Sequence, residues 1–170
     1  HLDTAKKQLT ERNEAYGSPD IGCMIEIPSA ALTVSSLLKH ADFISIGSND
    51  LIQYTLSVDR NDDSVSYLYQ PAHPAVLKLL AHIIRTANRL GKPVSLCGEM
   101  AGDPRFTRLL LGLGLRTFSM NTVNLLAIKD IILRSHSEQL ENDISRLMRN
   151  EDPDKSDDLL KKLNAIEYGG

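Results

Sequence analysis

Apolar residues along the chain fall into short runs that alternate with longer stretches of helical spacing. Residues 3–15, DTAKKQLTERNEA, are charged and helix-compatible, and Tyr16-Gly17-Ser18-Pro19 supplies a stop and a turn. Ile21-Gly22-Cys23-Met24-Ile25 is a brief apolar run bounded by turn residues, the pattern of a strand buried in a parallel sheet. Pro28-Ser29 then opens a helix over 30–40. The unit repeats with a strand at 43–46, the turn Gly47-Ser48-Asn49-Asp50 and an apolar segment at 51–58. A polar stretch at 60–69 precedes a long amphipathic helix over 74–90, which Gly91-Lys92-Pro93 ends. Strands at 94–97 and 117–120 follow, each feeding a helix, at 104–111 and 121–135.

Strands alternating with amphipathic helices predict an α/β fold with a parallel sheet, because each strand returns to the same edge through a right-handed crossover. Four such units, over residues 1–135, suit an open doubly wound sheet or half of a (β/α)8 barrel, and the alternation alone favours the open sheet. Residues 136–170 differ. There, 138–149 and 155–166 read as two polar helices with few core anchors, parted by Glu151-Asp152-Pro153-Asp154, and predict a peripheral tail or a subunit contact.

Composition narrows the classes of function. Over 170 residues, 42% apolar content is ample for one core, and a net charge of -3 gives no drive toward nucleic acid or an anionic membrane. No apolar run reaches the length of a membrane span, so neither insertion nor a signal segment is expected. Cys23 and Cys97 sit inside apolar runs and not in a spaced framework, which fits a reducing compartment and predicts a cytoplasmic address. The chain opens at His1 within a helical pattern, as a piece of a longer protein would.

Candidate chemistry gathers where the predicted strands end: Glu26 after the first, Asn49 and Asp50 after the second, Cys97 and Glu99 after the third, Asn121 after the fourth. In parallel α/β folds ligands bind at the carboxyl ends of the strands. Glu26 puts a carboxylate at the rim of an apolar core, where an unpaired charge is costly, and Asp50 offers a second at an equivalent position. Two hard oxygen ligands with room for water and substrate oxygens suit Mg2+. The bland readings stay open: Glu26 as a solvated turn residue, and Gly-Ser-Asn-Asp as helix-capping material. Arg60 carries a planar fork suited to carboxylate or phosphate, although most loop arginines are simply solvated. Cys97 precedes a glycine that lets a ligand approach, yet most strand cysteines are small core residues. His1, His40, His73, His82 and His136 show no metal-ligand spacing, and no glycine-rich nucleotide-binding loop occurs. Gly112-Leu113-Gly114 most simply terminates a helix.

At Met24-Ile25-Glu26-Ile27-Pro28, Ser45-Ile46-Gly47-Ser48-Asn49-Asp50-Leu51, Gln53-Tyr54-Thr55-Leu56-Ser57-Val58-Asp59-Arg60 and Cys97-Gly98-Glu99-Met100-Ala101-Gly102-Asp103, the sequence resembles the phosphoenolpyruvate-binding domain of the enzyme I family of phosphotransferases. The similarity runs from about Gly22 to Ile132 and fades beyond Ser135. It implies the second half of a (β/α)8 TIM-type barrel with C-terminal helices, in place of the open sheet. It gives Glu26 and Asp50 the role of Mg2+ ligands, Asn49, Asp50 and Arg60 that of substrate contacts, and Cys97 that of the acid protonating the enolate of pyruvate. The family moves the phosphoryl group of phosphoenolpyruvate to a histidine on another domain, then to a histidine-containing phosphocarrier protein, and it dimerises through this domain. That histidine and further phosphate-binding arginines lie upstream in the family, so weak substrate affinity and no complete transfer are expected of this chain alone. A pyruvate phosphate dikinase or phosphoenolpyruvate synthase piece, or a non-catalytic regulatory module, are the alternatives. A half-barrel has a bare strand edge on each side and is expected to pair, swap or aggregate.

Overall fold

The structure, a computed structural model, describes residues 1–166. Helix α1 (Leu2–Glu11) precedes β1 (Gly22–Ile25), and the short helices α2 (Pro28–Leu32) and α3 (Val34–Leu37) lead to β2 (Phe43–Gly47). Then come α4 (Ser48–Leu56), α5 (Pro74–Arg89), β3 (Val94–Cys97), α6 (Pro104–Gly112), β4 (Thr117–Phe118) and α7 (Leu125–Leu133). The C-terminal segment forms α8 (Ser137–Asp143), α9 (Ser145–Arg149) and α10 (Pro153–Asn164).

The four strands are parallel and lie in the order β1-β2-β3-β4. A doubly wound sheet reverses its order at a switch point, and this one does not. Each strand is laid down beside the last in the same direction, so right-handed crossovers bring the helices to one face. The burial pattern follows. Ile25, Ile44, Ile46, Val94 and Leu96 are buried under helices, whereas Met24, Phe43, Ser45, Ser95 and Thr117, on the other face, are partly or fully exposed. Met24 pairs in register with Ser45, Ser45 with Ser95 and Ser95 with Thr117, which sets three hydroxyl residues in a row across the bare face beside Met24.

Helix α5 supplies the largest apolar stripe. Val76, Leu77, Leu80, Ile83, Ile84 and Ala87 are buried, the spacing of one helical face, and burying each aliphatic side chain is worth about 1.5–3 kcal/mol. Its start is fixed by Pro74 in the first turn and by the His73 side chain accepting from the Ala75 amide at 3.1 Å. Asp103 caps α6 in the same way through the Arg105 amide.

The C-terminal helices depart from the expectation of few anchors. Leu140, Ile144 and Leu147, together with Leu160 and Leu163, belong to the same buried cluster as the sheet. Helices α8 and α10 both pack on α6, and a Cβ at Gly112 would come within 3.0 Å of the Leu140 carbonyl oxygen, so α8 approaches α6 closely. The last carbonyls of α10 are held by Arg108, whose Nη1 donates to Leu163 O, Asn164 O and Ile166 O. The polar composition of these helices is that of their outer faces. By contrast α7 buries only Ile128, and Leu126 and Leu133 are 76% and 74% exposed.

Candidate functional site

The turn after β3 is built against the start of α4. Gly98 has φ of +93°, a left-handed conformation that other residues adopt at a cost, and a Cβ there would collide with the Ser48 hydroxyl and lie 2.9 Å from Asn49 Oδ1. Ser48 Oγ donates to the Cys97 carbonyl at 2.7 Å, and the Glu99 amide donates to Asn49 Oδ1 at 3.0 Å. Two strand ends are therefore joined directly. Gly98→Ala is expected to cost about 2–6 kcal/mol, the sum of backbone strain and overpacking. Gly17→Ala, where nothing lies within 4 Å, is the control expected to be near neutral. Urea unfolding of both variants measures the difference.

Cys97 ends β3 on the bare face of the sheet. Its thiol donates to the Ile46 carbonyl at 3.4 Å, lies 3.9 Å from Met24 Sδ and 3.7 Å from Ser45 Oγ, so its immediate partners are neutral. Beside it is a hollow of ≈ 520 Å³ lined by Asn49, Cys97, Glu99, Ser119, Asn121 and Asn124, among others. Glu26 follows directly on β1. Its Oε2 would be 2.9 Å from a Cβ at Gly47, and Met24 Sδ 3.3 Å, so the absence of a side chain at Gly47 leaves the carboxylate room to lie over the sheet end. Asp50 stands in the first turn of α4, at the end of the neighbouring strand.

Arg60 arrives from the loop after α4. Ser57, in the left-handed conformation, ends the helix, and the Arg60 amide donates to Gln53 Oε1 at 3.4 Å, which turns the loop back. Its Nη1 is buried and has no hydrogen-bond partner, and the Glu99 carboxylate stands 3.9 Å away. Tyr69 closes the same corner, its hydroxyl donating to the Asn49 carbonyl at 3.4 Å. Burial pushes the Tyr69 pKa up, and the nearby Arg60 charge opposes that rise.

Asn49 and Cys97 thus share one hollow and Arg60 meets it through Glu99, while Glu26 and Met24 both lie against Gly47 at the end of β2. Tyr69 and Glu99 are the additions. Glu99 is visible in the sequence as a polar strand-end residue, but its place opposite Arg60 depends on how the loop folds. Tyr69 lies in the stretch Leu68-Tyr69-Gln70-Pro71, which shares in the resemblance to the enzyme I family, but its contact with Asn49, twenty positions away, depends on the fold.

Donor chemistry decides which ion would suit the carboxylates. Among the described residues no group of three His, Cys, Asp or Glu side chains converges to hold a metal. Mg2+ is commonly held by one or two carboxylates, with water and substrate oxygens completing the shell. Glu26 and Asp50 are carboxylates of that kind, one after β1 and one in the first turn of α4 after β2.

The chain is similar to known proteins. The family described as PEP-utilising enzyme, PEP-binding domain (PEP denoting phosphoenolpyruvate), matches residues 1–137. The phosphoenolpyruvate-protein phosphotransferase of Cupriavidus necator is 53% identical over 160 residues, 94% of this chain and 27% of its own length. That of Haemophilus influenzae is 46% identical over 132 residues, 77% of this chain and 23% of its own. The Buchnera aphidicola protein of the same name is 50% identical over 115 residues, 68% of this chain and 20% of its own. The chain spans about a quarter of the length of the relatives it matches. The Cupriavidus similarity takes in too much of the chain to stop at Ser135, so the segment packed on α6 is shared as well. With residues 1–137 matched, the chain belongs to the PEP-binding domain family of the PEP-utilising enzymes.

Proposed function

We propose that this chain forms the phosphoenolpyruvate-binding and enolate-protonating part of a phosphoenolpyruvate-protein phosphotransferase. The observation that carries this reading is Arg60: its buried Nη1 makes no hydrogen bond and stands 3.9 Å from Glu99, a residue that lines the hollow of Asn49 and Cys97. An unmet donor of this kind costs about 1–3 kcal/mol, and a phosphate oxygen would satisfy it with a charge-assisted bond. Asn49 presents its amide to the same hollow, with Oδ1 already bonded to the Glu99 amide, which leaves its Nδ2 to donate to substrate.

Glu26 and Asp50 would hold Mg2+, which when bound supplies charge neutralisation at the substrate oxygens. In the reaction, the bond between phosphorus and the enol oxygen breaks, and the phosphoryl group passes to a histidine of another domain. The electron pair stays on the pyruvate enolate. Cys97 then gives its thiol proton to the enolate carbon, which yields pyruvate and a thiolate that is reloaded from solvent. The thiol's contacts are with Met24 Sδ, Ser45 Oγ and the Ile46 carbonyl, none of them a charged group.

Winding in one direction, a bare sheet face and the exposed Leu32 on α2 and Leu126 and Leu133 on α7 support closure by four more β/α units into a (β/α)8 barrel. The remaining arginines, the acceptor histidine, the phosphocarrier protein, the dimer and the cytoplasmic setting belong to this proposal. The test is titration of the 15N-labelled chain with phosphoenolpyruvate. Amide shifts at Asn49, Asp50, Arg60 and Cys97 are expected, with millimolar affinity that Mg2+ strengthens, and Glu26→Gln or Asp50→Asn should remove the Mg2+ increment. Absence of shifts at these four residues at saturating ligand would defeat the assignment.

A further inference from the structure

The Glu99 carboxylate faces Arg60 without bonding it. The pair is 3.9 Å apart, and the two sides of the contact differ: the Arg60 side chain is 33% exposed and that of Glu99 81%. Arg60 is held, its backbone amide on Gln53 and its Nη1 buried, whereas the Glu99 carboxylate makes no hydrogen bond and projects into solvent. The Glu99 backbone, however, is fixed by its amide on Asn49 Oδ1. A swing of the Glu99 side chain would therefore leave Asn49, Gly98 and the end of β3 undisturbed. Glu99 also lines both the hollow of Asn49 and Cys97 and a second hollow of ≈ 590 Å³ bounded by Tyr69, His73 and Arg105, which gives the displaced carboxylate a place to go.

We propose that Glu99 is a positioning residue that acts through Arg60: a resident counter-anion that holds the guanidinium near the hollow and competes with an incoming phosphate for it. This rests on the reading of Arg60 as the phosphate contact. A carboxylate at this distance keeps the guanidinium partly neutralised while the site is empty. It also has to yield when a group with more charge and better hydrogen-bonding geometry arrives. Specificity follows from the competition. A dianionic phosphate ester displaces the carboxylate, whereas a monoanionic carboxylate ligand gains little by exchanging one carboxylate for another.

The consequence is unusual in sign, since removing a charged residue from the rim of a binding site should tighten binding. For a partner this exposed the ion pair is worth at most about 1 kcal/mol, so Glu99→Gln should lower the dissociation constant for phosphoenolpyruvate by up to about fivefold. The measurement is NMR titration of the chain with phosphoenolpyruvate and, separately, with pyruvate, which lacks the phosphoryl group, at fixed ionic strength. Glu99→Gln should tighten phosphoenolpyruvate and leave pyruvate unchanged, while Glu99→Asp, which keeps the charge, stays at the wild-type value. In an Arg60→Ala background the same Glu99→Gln change should have no effect. An unchanged or weakened affinity of Glu99→Gln for phosphoenolpyruvate, or equal tightening of pyruvate, overturns the role of Glu99. If Arg60→Ala alone leaves phosphoenolpyruvate binding intact, the reading of Arg60 itself fails, and the Glu99 proposal with it.

Discussion

Cys97→Ala, in an enzyme that joins this chain to the further segments of its relatives, is expected to lower pyruvate formation by about 10²–10⁴-fold, the usual contribution of a positioned acid. Binding of phosphoenolpyruvate should stay within about twofold, because the thiol contacts Met24, Ser45 and a carbonyl and none of the groups assigned to the phosphate. Proton delivery supplies a second readout. A thiol on the single open face of the sheet can reach the enolate from one side only, so pyruvate made with stereospecifically labelled substrate should carry a chiral methyl group. In the variant, the enolate would be protonated by water from either side and that chirality lost. Full turnover with retained chirality in Cys97→Ala would remove the thiol from the mechanism.

The second large effect concerns stability. Leu160 and Leu163 lie on one side of α10, are 3% and 4% exposed, and belong to the cluster that includes Leu109 and Leu110 of α6. Truncating both to alanine is expected to cost roughly 4–8 kcal/mol, from two buried leucines at about 2–5 each with some loss of additivity between neighbours. That is of the order of the whole stability of an ordinary domain, and thermal unfolding should show a fall well beyond 10 °C. A dispensable tail would instead tolerate the double change with a shift of a degree or two. Lys162→Ala, on the outer face of the same helix, serves as the matched surface control.

The sheet is legible in the sequence because parallel strands are buried on the helical side and leave short apolar runs. The predicted strands at 43–46 and 94–97 lie within one residue of β2 and β3. At the margins the reading slips for local reasons. The helix expected over 30–40 is two short pieces that meet at Thr33, whose hydroxyl donates to the Ser29 carbonyl at 2.8 Å and competes with the backbone ladder. The strand expected at 117–120 shortens to Thr117–Phe118, since β4 has a neighbour on one side only. The C-terminal helices mislead by composition. Leu140, Ile144 and Leu147 recur four and three positions apart, and Leu160 and Leu163 three apart, a narrow stripe that average polarity conceals.

Strand-end residues such as Glu26, Asn49, Asp50 and Cys97 could be singled out by position, because the sheet geometry dictates where a ligand can sit. Arg60, Tyr69 and Glu99 meet through a loop whose path rests on the left-handed turn at Ser57 and the Gln53 side chain. Such a path depends on tertiary packing and leaves no periodic trace.

The bonds from Ser48 to the Cys97 carbonyl and from the Glu99 amide to Asn49 have a mechanical consequence. They tie the first turn of α4, which carries Asp50, to the strand that carries Cys97, so the two residues ride on one stiff body. Movement of a neighbouring segment would then leave the spacing between Asp50 and Cys97 unaltered. In hydrogen exchange, the Glu99 amide should behave as a clasp, exchanging only when α4 parts from β3, far more slowly than its exposed side chain would suggest.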